Sequence, residues 1–137
     1  MANEIFVDTS GFYALLIKGD DRHGAARGVL RDAKRRKRPF LTTDYVLDET
    51  ATLLKARGHV HLVAGFFESL RVSHACRIEW TDADRFRAVQ LFFLKHADQP
   101  WSFTDCVSFC VMKERRLREA LTKDGHFAEA GYVALLK

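Results

Sequence analysis

The order of apolar patterns along the chain predicts an α/β fold, with a central parallel sheet of about five strands flanked by helices on both faces in three layers. Three observations lead there. Short runs rich in β-branched and aromatic residues alternate with stretches of helical periodicity. One helix or a helix pair stands between most successive strand candidates, as parallel pairing requires. The first such run, Ile5-Phe6-Val7, stops at Asp8, and Thr9-Ser10-Gly11 then opens a helical pattern. A strand that ends in an acid just before a helix presents that acid at the carboxyl edge of the sheet, where open α/β folds bind their ligands.

The elements follow in order. Glu4 to Asp8 reads as the first strand, and from Ser10, the expected N-cap, Phe12, Leu15 and Leu16 recur at helical spacing. Gly19-Asp20-Asp21 breaks that pattern. A second helix is expected from about Arg22 to Arg36, and Pro39 ends it ahead of a short strand, Pro39 to Thr42. Thr43 or Asp44 caps a third helix over Tyr45 to Arg57, closed by Gly58. A fourth covers His61 to Leu70, and Val72 to Trp80 reads as a strand. Thr81 is the expected cap of a long helix, Asp82 to Lys95, and Ser102 caps another, Phe103 to Arg116. Ala120 to Thr122 is a short strand that delivers Asp124. A turn or short helix at His126 to Ala130 and a last strand, Tyr132 to Leu135, complete the chain.

The 137 residues fit one domain, residues 1–137, with 47% hydrophobic and 29% charged residues. Two prolines and the lack of a Ser/Gly-rich tract leave no linker. Met1 to Glu4 lacks the basic and apolar regions of a signal peptide, and no run approaches the ~20 apolar residues needed to span a bilayer. A cytoplasmic protein with no membrane association is therefore expected, with Cys76, Cys106 and Cys110 as free thiols. The net charge of +4 favours a polyanionic partner. Its cations are bunched: Arg31, Lys34, Arg35, Arg36, Lys37 and Arg38 form one block, and Lys113, Arg115, Arg116 and Arg118 another. The first block reads as a solvated helix end or as a phosphate-binding surface.

Four carboxylates stand out. Asp8 and Asp124 each follow a strand, where Asp8 also reads as an ordinary turn or N-cap residue and Asp124 as a plain Asx turn. Asp105 lies in Ser102-Phe103-Thr104-Asp105, the pattern of a capping box at a helix start. Glu49 falls on the apolar face of the third helix with Val46, Thr50, Leu53 and Leu54, so it is expected to point toward the sheet, whereas Asp48 is free to be solvated. In a parallel sheet these positions can converge on one edge. Converging carboxylates repel each other, a hard divalent cation removes that repulsion, and all-oxygen ligands select Mg²⁺ or Mn²⁺. Such an ion activates water and stabilises charge on a phosphodiester.

Val7-Asp8-Thr9-Ser10, inward Glu49, Ser102-Phe103-Thr104-Asp105 and Asp124-Gly125-His126-Phe127 resemble, in order and spacing, the PIN-domain ribonucleases, and above all the VapC-type toxins of toxin–antitoxin pairs. The resemblance covers nearly the whole chain. It implies a single PIN-like domain that cleaves RNA with Mg²⁺ or Mn²⁺. Asp8, Glu49, Asp105 and Asp124 would be the metal-binding and catalytic acids. Thr9, Ser10 and Thr104 would be hydroxyls that orient the metal site or substrate. It also implies a homodimer and an antitoxin that reaches into the site. The helix after Asp105 departs from the pattern, with Cys106, Phe109 and Cys110 where small residues are usual, and Asp124 matches the family's least dependable acid.

Other signals carry less. Cys106 and Cys110 have no second ligand pair at zinc spacing and read as core. His126 lies near the proposed site and reads as a surface residue opening a helix or, alternatively, as a contact to substrate. One member each of Phe66-Phe67 and Phe92-Phe93 is expected off the main core. Two rival functions are a Mg²⁺-dependent phosphatase or other phosphoryl-transfer enzyme, and a non-catalytic PIN-like RNA-binding module. Haloacid-dehalogenase-like phosphatases need a second Asp two residues after the first, where Ser10 stands. A missing acid would favour the binding module, and none is missing.

Overall fold

In the computed structural model, which describes residues 3–137, five short strands form one wholly parallel sheet. They are β1 (Ile5–Val7), β2 (Phe40–Thr43), β3 (Cys76–Glu79), β4 (Glu119–Leu121) and β5 (Val133–Ala134), in the order β3-β2-β1-β4-β5. Between them run α1 (Thr9–Leu16), α2 (His23–Arg35), α3 (Asp44–Ala56), a 3-10 turn (Val60–Leu62), α4 (Val63–Val72), α5 (Ala83–Lys95), α6 (Phe103–Arg115) and α7 (Gly125–Glu129).

Topology sorts the helices. The chain steps from β1 to β2 to β3 in one direction, then crosses back to β4 and on to β5 in the other. Right-handed crossovers place α1 to α4 on one face and α5 to α7 on the opposite face. The side chains agree. Phe12 and Phe66 meet edge to face at 5.0 Å and line one cavity with Val7 and Phe40. Phe6 instead meets Phe127 at 6.1 Å, and Phe127 meets Phe109 at 5.0 Å. All three β1 residues are buried, as a central parallel strand requires. A smaller apolar cluster, Val89 with Cys106 and Val107, seats α5 on α6. The reversal of strand order falls between β1 and β4, so the crevice at their carboxyl ends is the topological switch point.

Several boundaries differ from the sequence expectation. Ser10 is not a cap. Asp8 takes the N-cap position of α1, its carbonyl accepting from Gly11 N and Phe12 N, and Ser10 lies inside the helix. Thr81 does not cap α5 either. Asp82 does, accepting from Arg85 N, while the Thr81 hydroxyl donates to Asp44 at 2.8 Å. Val72 belongs to α4, not to a strand, so β3 is shorter than its apolar pattern. The remaining caps follow their chemistry: Thr43 accepts from Val46 N, Gly58 closes α3 at φ +80°, and Ser102 with Asp105 forms a reciprocal capping box.

Two helix ends are unusual. Lys37 after α2 and Arg116 after α6 have φ of 56° and 58°. In both turns the next amide reaches back over five residues, Arg38 N to Ala33 O and Leu117 N to Met112 O, each at 2.8 Å. This is the left-handed cap that glycine ordinarily fills, and a side chain there costs about 1 kcal/mol. The three cysteines are free, and among the described residues no helix is long and apolar enough to cross a membrane.

Candidate active site

The end of β1 and the end of β4 are tied by hydroxyls. Asp8 is buried, and its Oδ2 accepts from Thr122 Oγ1 at 2.9 Å. Thr122, fully buried, also accepts from Asp124 N at 3.0 Å and lies 3.0 Å from Ser10 Oγ. Thr122 has one hydroxyl proton. If it goes to Asp8, Ser10 must donate to Thr122, and Ser10 in turn accepts from Lys123 N at 3.0 Å. The relay Lys123 N–H, Ser10, Thr122, Asp8 orients the carboxylate without any cation. Gly11 makes the approach possible: a Cβ there would stand 2.1 Å from Leu121 O. Thr122 carries no motif signal in the sequence, where it reads only as the end of a strand.

Asp105 and Asp124 meet at His126. Asp105, at the start of α6, accepts from Ser102 N at 3.1 Å, and its Oδ2 lies 3.1 Å from His126 Nδ1. Asp124 caps α7, accepting from His126 N at 2.9 Å, and its Oδ1 is 3.4 Å from the same ring nitrogen. Ligand atoms of these three residues all lie within 4.8 Å of one another. His126 is thus no isolated surface residue. The Asx turn that Asp124 forms is what delivers the imidazole to both acids, and the Asp-Gly-His spacing was the signal available in the sequence.

Glu49 corrects its expectation in part. The buried stripe of α3 is Val46, Leu47, Thr50 and Leu54, so Glu49 and Leu53 sit beside it and not within it. Glu49 is exposed at the cleft and accepts from Thr9 Oγ1 at 2.6 Å. It points into the opening above the sheet edge, not into the core. Thr104 is half-buried; its carbonyl accepts from Ser108, and its hydroxyl has no partner among the described residues.

Asp8, Thr9, Ser10, Glu49 and Asp124 line one cleft of about 460 Å³. The same walls carry Asp20, whose Oδ1 is taken by Arg22 N at 2.8 Å, and the cations Arg57 and Lys123. Arg57 stands one turn beyond Leu53 and two beyond Glu49, and its guanidinium lies 5.0 Å from the centre of the Tyr13 ring. A larger apolar cleft between Leu47, Phe67 and Trp80 lies away from these acids.

The electrostatics are those of an under-neutralised acidic site. Burial pushes Asp8 up to about 7, with the charges of Asp105 and Glu49 adding to it, against the Thr9 amide and the Thr122 hydroxyl. Burial also raises Asp105, partly offset by Ser102 and His126. For His126, burial opposes a charge on the ring, but the bond to Asp105 and the nearby acids outweigh it and raise its affinity for a proton. Among the described residues no Lys or Arg forms an ion pair with Asp8, Glu49, Asp105 or Asp124. An oxygen-rich set of donors, with Asp8 and Asp105 buried and no ion pair to Lys or Arg among the described residues, fits a hard divalent ion.

A family model described as "PIN domain" matches residues 5–132. Two curated relatives, from two strains of Mycobacterium tuberculosis, are each described as 23S rRNA-specific endonuclease VapC20. Each is 38% identical over 131 residues, covering 94% of this chain and 95% of its own. Among solved structures, a crystal structure of Mycobacterium tuberculosis VapC20, described as a Sarcin-Ricin loop cleaving toxin, superposes with a TM-score of 0.80 at 35% identity. That match covers 94% of this chain and 96% of the other.

Proposed function

The chain belongs to the PIN-domain family, and from that premise we propose that it is a metal-dependent endoribonuclease, the toxin of a toxin–antitoxin pair, acting on ribosomal RNA in the cytoplasm. The single observation that carries this reading is the arrangement of acids at the switch point between β1 and β4: Asp8, Glu49 and Asp124 line one cleft, Asp105 meets Asp124 at His126 and its charge acts on Asp8, and among the described residues no arginine or lysine is paired to them.

Asp8, Asp105 and Asp124 would hold the ion, Mg²⁺ or Mn²⁺, with Glu49 at the open side. Such an ion, when bound, supplies Lewis-acid polarisation and neutralises charge on the phosphodiester. The protein's own groups do the rest. Thr122 and Ser10 fix the Asp8 carboxylate, so that it need not reorganise during the reaction. Thr9 holds Glu49 toward the cleft. Arg57 and Lys123 face the approaching backbone and offset its charge. The Tyr13 ring beneath Arg57 fixes that guanidinium above the cleft floor. Thr104 has a hydroxyl without a protein partner among the described residues, available to substrate.

The remaining expectations rest on the family. A cognate antitoxin would close the cleft. A second copy of the chain would cover the exposed apolar residues of α5, Leu91 and Leu94, which are 70% and 68% exposed.

The test is cleavage of 23S ribosomal RNA by the purified protein with Mg²⁺ or Mn²⁺, with EDTA, and by the Asp8→Asn variant. Metal-dependent cuts absent from the variant are expected. Equal cleavage by both proteins, or cleavage undiminished by EDTA, overturns the reading.

A further inference from the structure

The two basic blocks of the sequence do not lie at the proposed nuclease cleft. Each sits where a helix ends and a strand begins, α2 into β2 and α6 into β4. Every strand is parallel, so both turns lie at the amino edge of the sheet, across its full width from Asp8. β2 and β4 are the two neighbours of β1, roughly 10 Å apart. Crossed ion pairs show that the blocks adjoin: Arg38 of the first reaches Glu119 of β4 at 2.6 Å, and Arg115 of the second reaches Glu4 beside β1 at 3.0 Å.

Those pairs use up Arg38 and Arg115. Lys34, Lys37, Arg116 and Arg118 are exposed and pair with no acid among the described residues. Attraction of cations to helix carboxyl ends accounts for Lys34. At Lys37 and Arg116 the same attraction is at best matched by the cost of a side chain in the left-handed caps that glycine fills, and it does not reach Arg118 beyond the helix. At both turns the chain keeps a positive charge against its backbone preference.

We infer that this amino edge is a second RNA-binding surface, which grips the phosphate backbone of a folded RNA at a point remote from the scissile bond. The choice of RNA as the polyanion rests on the nuclease reading of the cleft. The edges are separated by at least the length of a strand, roughly 10 Å, so no single nucleotide spans them. An RNA that meets both is long or folded, and the amino edge reads shape and charge, not bases.

The quadruple variant Lys34→Gln, Lys37→Gly, Arg116→Gly, Arg118→Gln tests this. Glycine suits both left-handed positions, so its melting temperature should not fall. The probe is a fluorescein-labelled RNA stem-loop with a stem of about 16 base pairs, titrated by anisotropy in EDTA over a range of KCl. The variant should bind at least about tenfold more weakly near 0.1 M salt, and the slope of log affinity against log salt should shrink by roughly 0.7–0.9 for each phosphate that is no longer neutralised. Metal-dependent cleavage of a short single-stranded oligonucleotide should be unchanged. An unaltered affinity and salt slope overturn the inference. So does a variant that keeps its RNA affinity but loses binding to phosphatidylglycerol vesicles or to an acidic antitoxin, which would assign the surface to those partners. Failure of the wild type to cleave the oligonucleotide would count against the nuclease reading alone, because the binding comparison contains no cleavage step.

Discussion

The Thr122 hydroxyl donates to the Asp8 carboxylate at 2.9 Å and joins two strands across 114 residues of sequence. The same oxygen accepts from Asp124 N and lies within hydrogen-bonding distance of Ser10, so one buried side chain sets the positions of two acids. Replacement by valine keeps the shape and removes the hydroxyl. Asp8 then loses its side-chain donor, and the Asp124 amide loses its acceptor. A stability loss of about 1–3 kcal/mol is expected from the unsatisfied groups, read by urea denaturation. Cleavage should fall more than stability explains, because the acid is no longer held. Full activity in Thr122→Val would show that the relay does not position Asp8.

Asp8 also gives the metal-free protein a pH dependence of definite sign. Its folded carboxyl is pushed up to about 7 by burial, from 3.8 in a free chain. The folded state therefore binds this proton more tightly than the unfolded state. The stability associated with it is present at low pH and is lost as pH rises from about 4 through 7. The shift corresponds to about 4 kcal/mol. Thermal melts in EDTA should show Tm falling across that window, and Asp8→Asn should flatten the profile and raise Tm at pH 8. Added Mg²⁺ should restore the wild type at pH 8 and leave the variant unchanged. A wild-type Tm that climbs steadily from pH 4 to 8 in EDTA contradicts this assignment.

The fold and most of the acids were legible in the sequence because their signals are local. A strand that ends in Asp8, a capping box that contains Asp105 and an Asx turn at Asp124 each follow from residues within a few positions. What escaped depends on distant contacts or on small rotations. Ser10 has the chemistry of a cap, but it is drawn to Thr122 from the far end of the chain. Glu49 lies one position off the buried stripe of α3, about 100° around the helix, enough to turn it from the core into the cleft. Thr122 itself has no motif at all. The basic blocks are visible as charge, but their place on the edge opposite the acids depends on the parallel topology.

His126 links Asp105 to Asp124, and its loss should be felt at both. In His126→Ala the two carboxylates lose the donor between them and repel each other more strongly without metal. Partners that orient metal ligands are typically worth about 10–100-fold in affinity or activity. Calorimetric titration with Mn²⁺ should show weaker binding in that range, alongside a lower cleavage rate. If Mn²⁺ affinity and cleavage both match the wild type, His126 has no part in the site.

Gly11 fixes how closely the first turn of α1 approaches the end of β4. A Cβ at this position would lie 2.1 Å from Leu121 O and 2.9 Å from Leu121 C, both backbone atoms that cannot swing aside. Leu121 O is also the acceptor for Asp8 N at 3.2 Å, so any retreat pulls at the bond that seats Asp8. Gly11→Ala should therefore destabilise the fold by about 1–3 kcal/mol, the range for overpacking a tight site, although alanine is the better helix former. The surviving folded fraction should also cleave poorly, because α1 carries Thr9 and Ser10 away from Glu49 and Thr122. Urea denaturation and single-turnover cleavage at matched folded fraction separate the two effects. An alanine variant as stable and as active as the wild type would show that helix and strand part at no cost to the site.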